Sequence, residues 1–434
     1  MIFLALPGRS PTTKLSWATQ SLRVIPAVEI RSNDYVIRVL DSPLHVDARD
    51  WNGLLAGQAC PTPFMRHEYL AALHESGSAT PDTGWTPCFV TLWRGGQLHA
   101  ACALYLKDHS YGEYVFDWAW ANAYEQHNLA YYPKAVAAVP FTPVPGTRLL
   151  ARDTEARVAL LNAMLAACDE QKLSSLHLLF ASGDDIAASQ QAGLMLRHTV
   201  QFHWTNPSPP YPGFEAFLAS LSQDKRKKIR QERRKVADAG VRFRWARGRD
   251  ITPADWDVFY RCYERTYLEH GNPPYLSRDF FRRMAQTMPQ AWLLFVGERG
   301  GRPIATSLIA LQDHPAGAAG QFDTENRPWV AYGRYWGALE RVDCLHFEAC
   351  YYQPLQWCME HGVQRFEGGA QGEHKMARAL MPVRATSAHW LAHPSFADAV
   401  RRFLEREGDG VDTYLEDLGG RTPFREPAPR PPRT

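Results

Sequence analysis

Residues 92–106, LWRGGQLHAACALYL, align with residues 297–311, GERGGRPIATSLIAL, on their Gly-Gly pairs: Arg94, Gly95, Gly96, Ala100 and Leu106 match Arg299, Gly300, Gly301, Ala305 and Leu311. A strand-like run precedes each pair, PCFVTLW in one case and WLLFVGE in the other. Paired glycines permit the positive φ that a tight hairpin turn demands, so each half is expected to hold a β-hairpin closed at Gly-Gly. Further on, YVFDW in the first half answers GQFDT in the second, and helical runs ending near Cys168 and Cys358 lead to SLHLLF and VQRFEGG. The same steps in the same order point to duplication of one α/β unit of roughly 170–200 residues.

With 434 residues and 45% apolar content, the chain exceeds one ordinary core and supports two similar-sized ones. TNPSPPYPG, from Thr205, carries four prolines and reads as a connector. The basic run KRKKIRQERRK at 225–235 follows, with eight cations against one acid in a chain of net charge +2. Its charges circle the helix axis, and only Ile229 and Val236 share an apolar face, so it does not read as a membrane-inserting amphipath. The plan is an extension at 1–34, a first domain at 35–205, a connector with the basic helix at 206–240, a second domain at 241–418 and a proline-rich tail at 419–434. Both ends are expected to be disordered. The eight cysteines form no CxxC pair and lie mostly in apolar stretches, which suggests reduced thiols in a cytoplasmic protein. No apolar run reaches the length of about 18 residues needed to cross a bilayer.

Residues 345–378, LHFEACYYQPLQWCMEHGVQRFEGGAQGEHKMAR, hold the densest group of proton-moving side chains: His346, Glu348, Glu367, Gln371, Glu373, His374 and Lys375. Glu348 and Glu367 lie in apolar runs, where an unpaired carboxylate is costly to bury, so each serves a site or a buried network. An ion pair of Glu348 with Arg334 is the structural alternative. A metal hydrolase built on His346, Glu348, Glu373 and His374 lacks HExxH or comparable spacing, and no metal is expected.

The chain resembles the FemAB-like predicted N-acyltransferases, described as peptidoglycan biosynthesis or recognition proteins and related to the GNAT superfamily. The resemblance covers about residues 36–408 and rests on YYPKAVAAVPFTPVPGTRLL at 131–150, YGRYWG at 332–337, LHFEACYYQ at 345–353 and FEGGAQGEHKMARALMPV at 366–383. It implies a mixed α/β fold of two tandem GNAT-like domains, each opening a donor groove between splayed central strands. On that plan residues 345–350 form the strand at the splay, and a helix starting near Pro354 points its N-terminal N–H groups into the groove.

The chemistry of N-acyl transfer requires a base, an oxyanion stabiliser and an acid for the leaving group. Glu348 is the favoured base, with His346 two residues away as its partner and Glu367 as a further catalytic candidate. Tyr332, Arg334, Tyr335, Gln371, Glu373, His374 and Lys375 are candidate substrate-binding residues. Lys134, Arg148, Lys225, Arg226 and Lys228 are candidates for holding the donor's phosphates. The pyrophosphate loop [Q/R]xxGx[G/A] of acetyl-CoA-using enzymes is absent, so acyl-CoA and aminoacyl-tRNA both stand as donors, with a small-molecule or peptide amine as acceptor. The alternative is a non-catalytic module that binds peptidoglycan or amino sugars.

Overall fold

The computed structural model describes residues 29–32, 35–312, 329–370 and 372–425. The first half comprises β1 (Glu29–Ser32), β2 (Tyr35–Leu40), α1 (Ala48–Ala56), α2 (His67–Glu75), β3 (Thr86–Pro87), β4 (Phe89–Arg94), β5 (Gln97–Cys102), β6 (Leu104–Lys107) and α3 (Trp118–Gln126). It continues with β7 (Lys134–Ala137), β8 (Leu150–Ala151), α4 (Thr154–Glu170), β9 (Ser175–Leu178), α5 (Gly183–Gln191) and β10 (Met195–Thr205). The connector forms α6 (Phe214–Ser220) and the basic helix α7 (Gln223–Asp238). The second half holds β11 (Val241–Arg247), α8 (Pro253–Glu269), α9 (Arg278–Thr287), β12 (Trp292–Arg299), β13 (Arg302–Leu311) and β14 (Val330–Ala338). After it come α10 (Leu345–Phe347), a π-turn (Glu348–Tyr352), α11 (Gln353–Glu360), β15 (Arg365–Ala370), β16 (Met381–Leu391) and α12 (Pro394–Gly420).

Local chemistry accounts for the repeat. Gly95 and Gly96 have φ of 57° and 78°, and Gly300 and Gly301 have 58° and 75°, so both hairpins turn on residues without a Cβ. Each hairpin also carries a register shift at the same place, between Leu92 and Trp93 and between Gly297 and Glu298. One residue is left over on the partner strand, His99 in the first half and Ile304 in the second. Helices ahead of the two hairpins are both capped: Asp47 caps α1, and Thr252 with Asp255 forms a capping box ahead of Pro253 in α8. The GQFDT partner of YVFDW falls at 320–324, outside the described residues.

The halves are joined through their last strands. The larger sheet has the order β11-β12-β13-β14-β15-β10-β16-β9-β7-β6-β3, so β10 lies between the second half's β15 and β16. In turn β16 lies between β10 and the first half's β9. The two exchanged strands pair antiparallel over nine residues, from Met195↔His389 to His203↔Met381. A smaller sheet, β1-β2-β4-β5-β8, belongs to the first half alone. Helices pack on both faces, and buried side chains from the two halves share one apolar cluster that includes Phe64, Tyr69, Phe259, Phe281 and Tyr332.

Three expectations change. Residues 345–350 are helical, not a strand, and α10 follows directly on Cys344, whose φ is 65°. Apolar alternation in LHFEACYY imitates a strand, but Leu345, Ala349, Tyr352 and Leu355 bury one helical face. Pro354 therefore sits within a continuous helix and, lacking an N–H, removes one i→i−4 bond; the Gln353 N–H reaches the Glu348 carbonyl instead, which makes the π-turn. N–H groups near Cys350 to Gln353 are consequently inside the helix and cannot form an N-terminal anion site. Order also extends into both ends: β1 pairs with β2, and beyond α12 Phe424 bridges Leu221 while the Arg425 N–H donates to the Ser220 carbonyl.

Alone, a fragment ending at Thr205 would leave β10 without either of its partner strands. We expect fragments 35–205 and 206–425 to be unfolded or aggregated when expressed singly and to recover native circular dichroism only when co-expressed; a well-folded monomeric 35–205 would contradict the exchange.

Candidate functional site

In the second half the central parallel strands part company. β14 and β15 pair only through Val330↔Arg365, Ala331↔Phe366 and Tyr332↔Glu367. Immediately beyond, Arg334 is bulged out of the β13–β14 ladder, since Leu308 faces Tyr335 and Ile309 faces Gly333. The gap opens into two small cavities that share Gly333 to Trp336 and Gly368 as lining. One, of about 50 Å³, is walled by Tyr114, Phe141, Tyr263 and Tyr267; the other, of about 20 Å³, by Ser307, Cys350 and Tyr351. A side chain at Gly368 would come within 2.3 Å of Leu380, so the gap depends on that glycine. Arg334 donates from Nη2 to the Phe141 carbonyl at 2.9 Å and lies over the Phe64 and Tyr335 rings, while its buried Nε has no acceptor among the described residues. Tyr335 meets Tyr69 hydroxyl to hydroxyl at 3.4 Å.

Beside the gap a cleft of about 530 Å³ runs between the halves, lined by Cys60, Gly146, Ser182, His203, Tyr332 and Glu367 among others. Glu367 belongs to the last β14–β15 pair, so its backbone stands where the strands begin to diverge. It is 4% exposed and pairs with Arg365 at 2.9 Å, yet Oε2 has no hydrogen-bond partner among the described residues. His203 Nε2 stands 3.8 Å from that oxygen. Burial pushes the Glu367 carboxyl up to about 7, although the Arg365 guanidinium works against the rise. Burial pushes His203 down to about 3, helped by Arg365 and Lys375, so the imidazole stays neutral. The Tyr332 hydroxyl donates to Gln312 Oε1 at 3.2 Å on the same wall.

Other sequence-selected residues lie elsewhere. Glu348 is buried against the basic helix, bonded by Arg233 at 3.0 Å and by Gln353 at 2.7 Å, and lines neither the gap nor the cleft. Its partner is thus Arg233, and Arg334 is engaged with Phe141. His346 sits on a helix among the Trp336 and Tyr351 rings, at 5.4 and 5.6 Å, and burial lowers it to about 3; it forms no pair with Glu348. All three protons of the Lys375 ammonium are committed, to the carbonyls of Gly368, Gly369 and Ala370, which leaves none for a substrate. Burial depresses that ammonium to about 8.

Glu373 is exposed and bonds Tyr414 and Arg421 of the C-terminal segment, and His374 is exposed with Tyr351 3.4 Å away. Gln371 lies outside the described residues. The four residues of the imagined metal site therefore do not converge. Arg148 is 2% exposed and donates to the Leu179 and Val144 carbonyls, so it braces the proline-rich loop VPFTPVPG at 139–146 and cannot serve as a phosphate ligand. That loop borders both openings: Phe141 and Pro143 wall the gap, and Pro145 and Gly146 the cleft. Lys225 and Arg226 are half-buried on α7, and Lys228 is exposed.

Residues 42–426 match the FemAB-like family, described as peptidoglycan biosynthesis/recognition. No curated protein matches the chain. Among solved structures it is similar to FemX (9% identity, 82% of this chain and 99% of that one, TM-score 0.49). It is similar too to L-PGS from Bacillus licheniformis (10% identity, 83% and 97%, TM-score 0.48). A third is a tandem GNAT protein from the clavulanic acid biosynthesis pathway (14% identity, 83% and 99%, TM-score 0.44).

Lys134, chosen from the sequence as a phosphate ligand, is fully buried in the first half. Its ammonium donates to Ser110 and Glu113, each at 2.8 Å, and to Asp117. Asp117 accepts from the Tyr131 hydroxyl at 2.6 Å. The network continues through Ser175 and His177 to His389 of the exchanged strand, the two imidazoles meeting at 2.7 Å. Burial raises Glu113 to about 7. Sequence reading missed these partners because Glu113 and Asp117 lie in a loop without period. Lys134→Met would strand two buried carboxylates, and we expect it to cost about 3–5 kcal/mol in urea unfolding. A loss below about 1 kcal/mol would mean that the network contributes little.

Proposed function

The chain belongs to the FemAB-like family of peptidoglycan biosynthesis and recognition, and from that membership we propose that it transfers an acyl or aminoacyl group to an amine, with Glu367 as the general base. The observation that supports this reading most is a buried carboxyl titrating near neutrality, with an unpartnered oxygen, at the vertex of the strand gap. Such a group takes a proton from an incoming ammonium at physiological pH without being permanently protonated. The amine acceptor occupies the cleft beside Glu367, and the donor carbonyl approaches through the gap. There Arg334, with its free Nε, and backbone N–H groups that lack a partner across the gap face the developing oxyanion. His203, neutral and beside Glu367, assists as proton relay; as the new C–N bond forms, the thioester C–S or ester C–O bond of the donor breaks, and the proton taken up by Glu367 passes to the leaving thiol or hydroxyl.

Glu367 takes the role first assigned to Glu348. The donor is acyl-CoA or aminoacyl-tRNA, and α7, with Lys227 and Lys228 exposed and Lys225 and Arg226 half-buried, supplies a phosphate track for either. The Arg233–Glu348 pair would hold that helix against the π-turn flanking the gap. The eight unpaired cysteines accord with a cytoplasmic location.

Transfer should be assayed with acyl-CoAs and charged tRNA against peptidoglycan-precursor amines. Wild-type turnover is expected to rise with pH through about 7, following deprotonation of Glu367. Glu367→Gln should lower it about 10²–10⁴-fold with the fold intact; unchanged turnover would remove Glu367 as the base. Absence of transfer from every donor, with saturable precursor binding, would favour a binding module.

The same carboxyl makes stability depend on pH. It titrates near 4.3 when unfolded and near 7 when folded, so the native state holds the extra proton between these values and its stability falls as pH rises through them. Glu367→Gln cannot ionise and should gain about 2–3 kcal/mol on the parent between pH 5 and pH 8, measured by denaturant unfolding. A constant difference would refute the raised titration.

A further inference from the structure

Away from the gap, a cavity of about 460 Å³ opens at the edge of the larger sheet, where β11 meets the C-terminal end of α11. Its lining includes Trp245, Arg247, Arg249, Asp250, Trp357 and His361. Trp245 is 48% exposed, an unusual state for a tryptophan on a sheet. It stands edge-on to both members of a stacked pair, Trp357 and His361, whose rings are 4.0 Å apart and 14° from parallel. His361 Nδ1 lies 2.8 Å from the Trp357 carbonyl, which can only accept, so Nδ1 carries a proton and the ring is held in place. Trp357 is 2% exposed, and its Nε1–H has no acceptor among the described residues. Arg247 lies over the Trp329 and Trp357 rings, and Arg249 is exposed at the rim.

From this arrangement we propose a nucleotide-binding site, in which an aromatic base stacks on the exposed face of Trp245, with the perpendicular His361 ring at its edge, while its phosphate meets Arg247 and Arg249. A flat π-ring uses the open indole face, and an anion uses the guanidiniums. An uncharged or cationic sugar would use only the rings. Three sources carry this chemistry: a free nucleotide, the nucleotide head of coenzyme A and an unpaired end of RNA. The site stands apart from the gap and cleft and does not depend on the transfer reaction.

Isothermal titration of the full chain with AMP, coenzyme A, a short oligoadenylate and a chitin oligosaccharide tests it. Saturable binding of AMP is expected, weakened about tenfold by Trp245→Ala and largely restored by Trp245→Phe. Arg249→Ala should weaken AMP while leaving adenosine unchanged. Tighter coenzyme A or oligoadenylate binding with the same response to Trp245→Ala would support the site and name its source. The proposal is overturned if no nucleotide binds at millimolar concentration, if binding ignores Trp245→Ala and Arg249→Ala, or if only the oligosaccharide binds.

Discussion

The antiparallel pairing of β10 with β16 is the constraint on which the rest of the molecule depends. Each strand belongs by sequence to one half and by hydrogen bonding to the other, so neither half satisfies its central backbone groups alone. The pairing also fixes where chemistry can occur. Through its other edge β10 sets His203 beside Glu367 on β15, and through its other edge β16 sets His389 against His177 of β9. A polar site in each half is thus completed by a residue from the other.

The halves use the same plan for different ends. In the first, β7 and β9 are parallel over Ala135–Ala137, as β14 and β15 are in the second, but the space beyond them is taken by the proline-rich loop. Gly146 bridges Ala181, and Arg148 holds the Leu179 carbonyl, so the loop itself lies against the end of β9. The same loop presents its outer side to the second half, where it walls the open gap. A duplicated groove has become the wall of its twin.

How much of this was legible depended on the range of the physics involved. The hairpins and the basic helix follow from local turn and charge chemistry, and both are found where the sequence places them. Glu367 stood out because a carboxylate beside a glycine pair in an apolar run needs a reason. Residues 345–350 were misread because their alternation matches a strand over six residues, and only packing against β14 and α7 selects the helical face; the helix from Pro354 onward was read as such. Lys134 and Arg148 were taken as phosphate ligands because a sequence does not show whether a charge has buried partners; those of Lys134 are Glu113 and Asp117, and those of the Arg148 guanidinium are the Val144 and Leu179 carbonyls. Trp245 could not be singled out, since a tryptophan in an alternating strand reads as core.

The hairpin bulge carries a consequence for ancestry. His99 and Ile304 occupy the same extra position in chains that otherwise share few residues, so the irregularity predates their divergence. A single ancestral unit with that hairpin would have carried a last strand made to lie in another copy. It would have been an obligate swapped homodimer, with two equivalent grooves. Fusion required only a tether from the end of one copy to the start of the next, the place now taken by α6 and α7. Once both copies were encoded in one chain they no longer had to remain alike, and one groove was free to close.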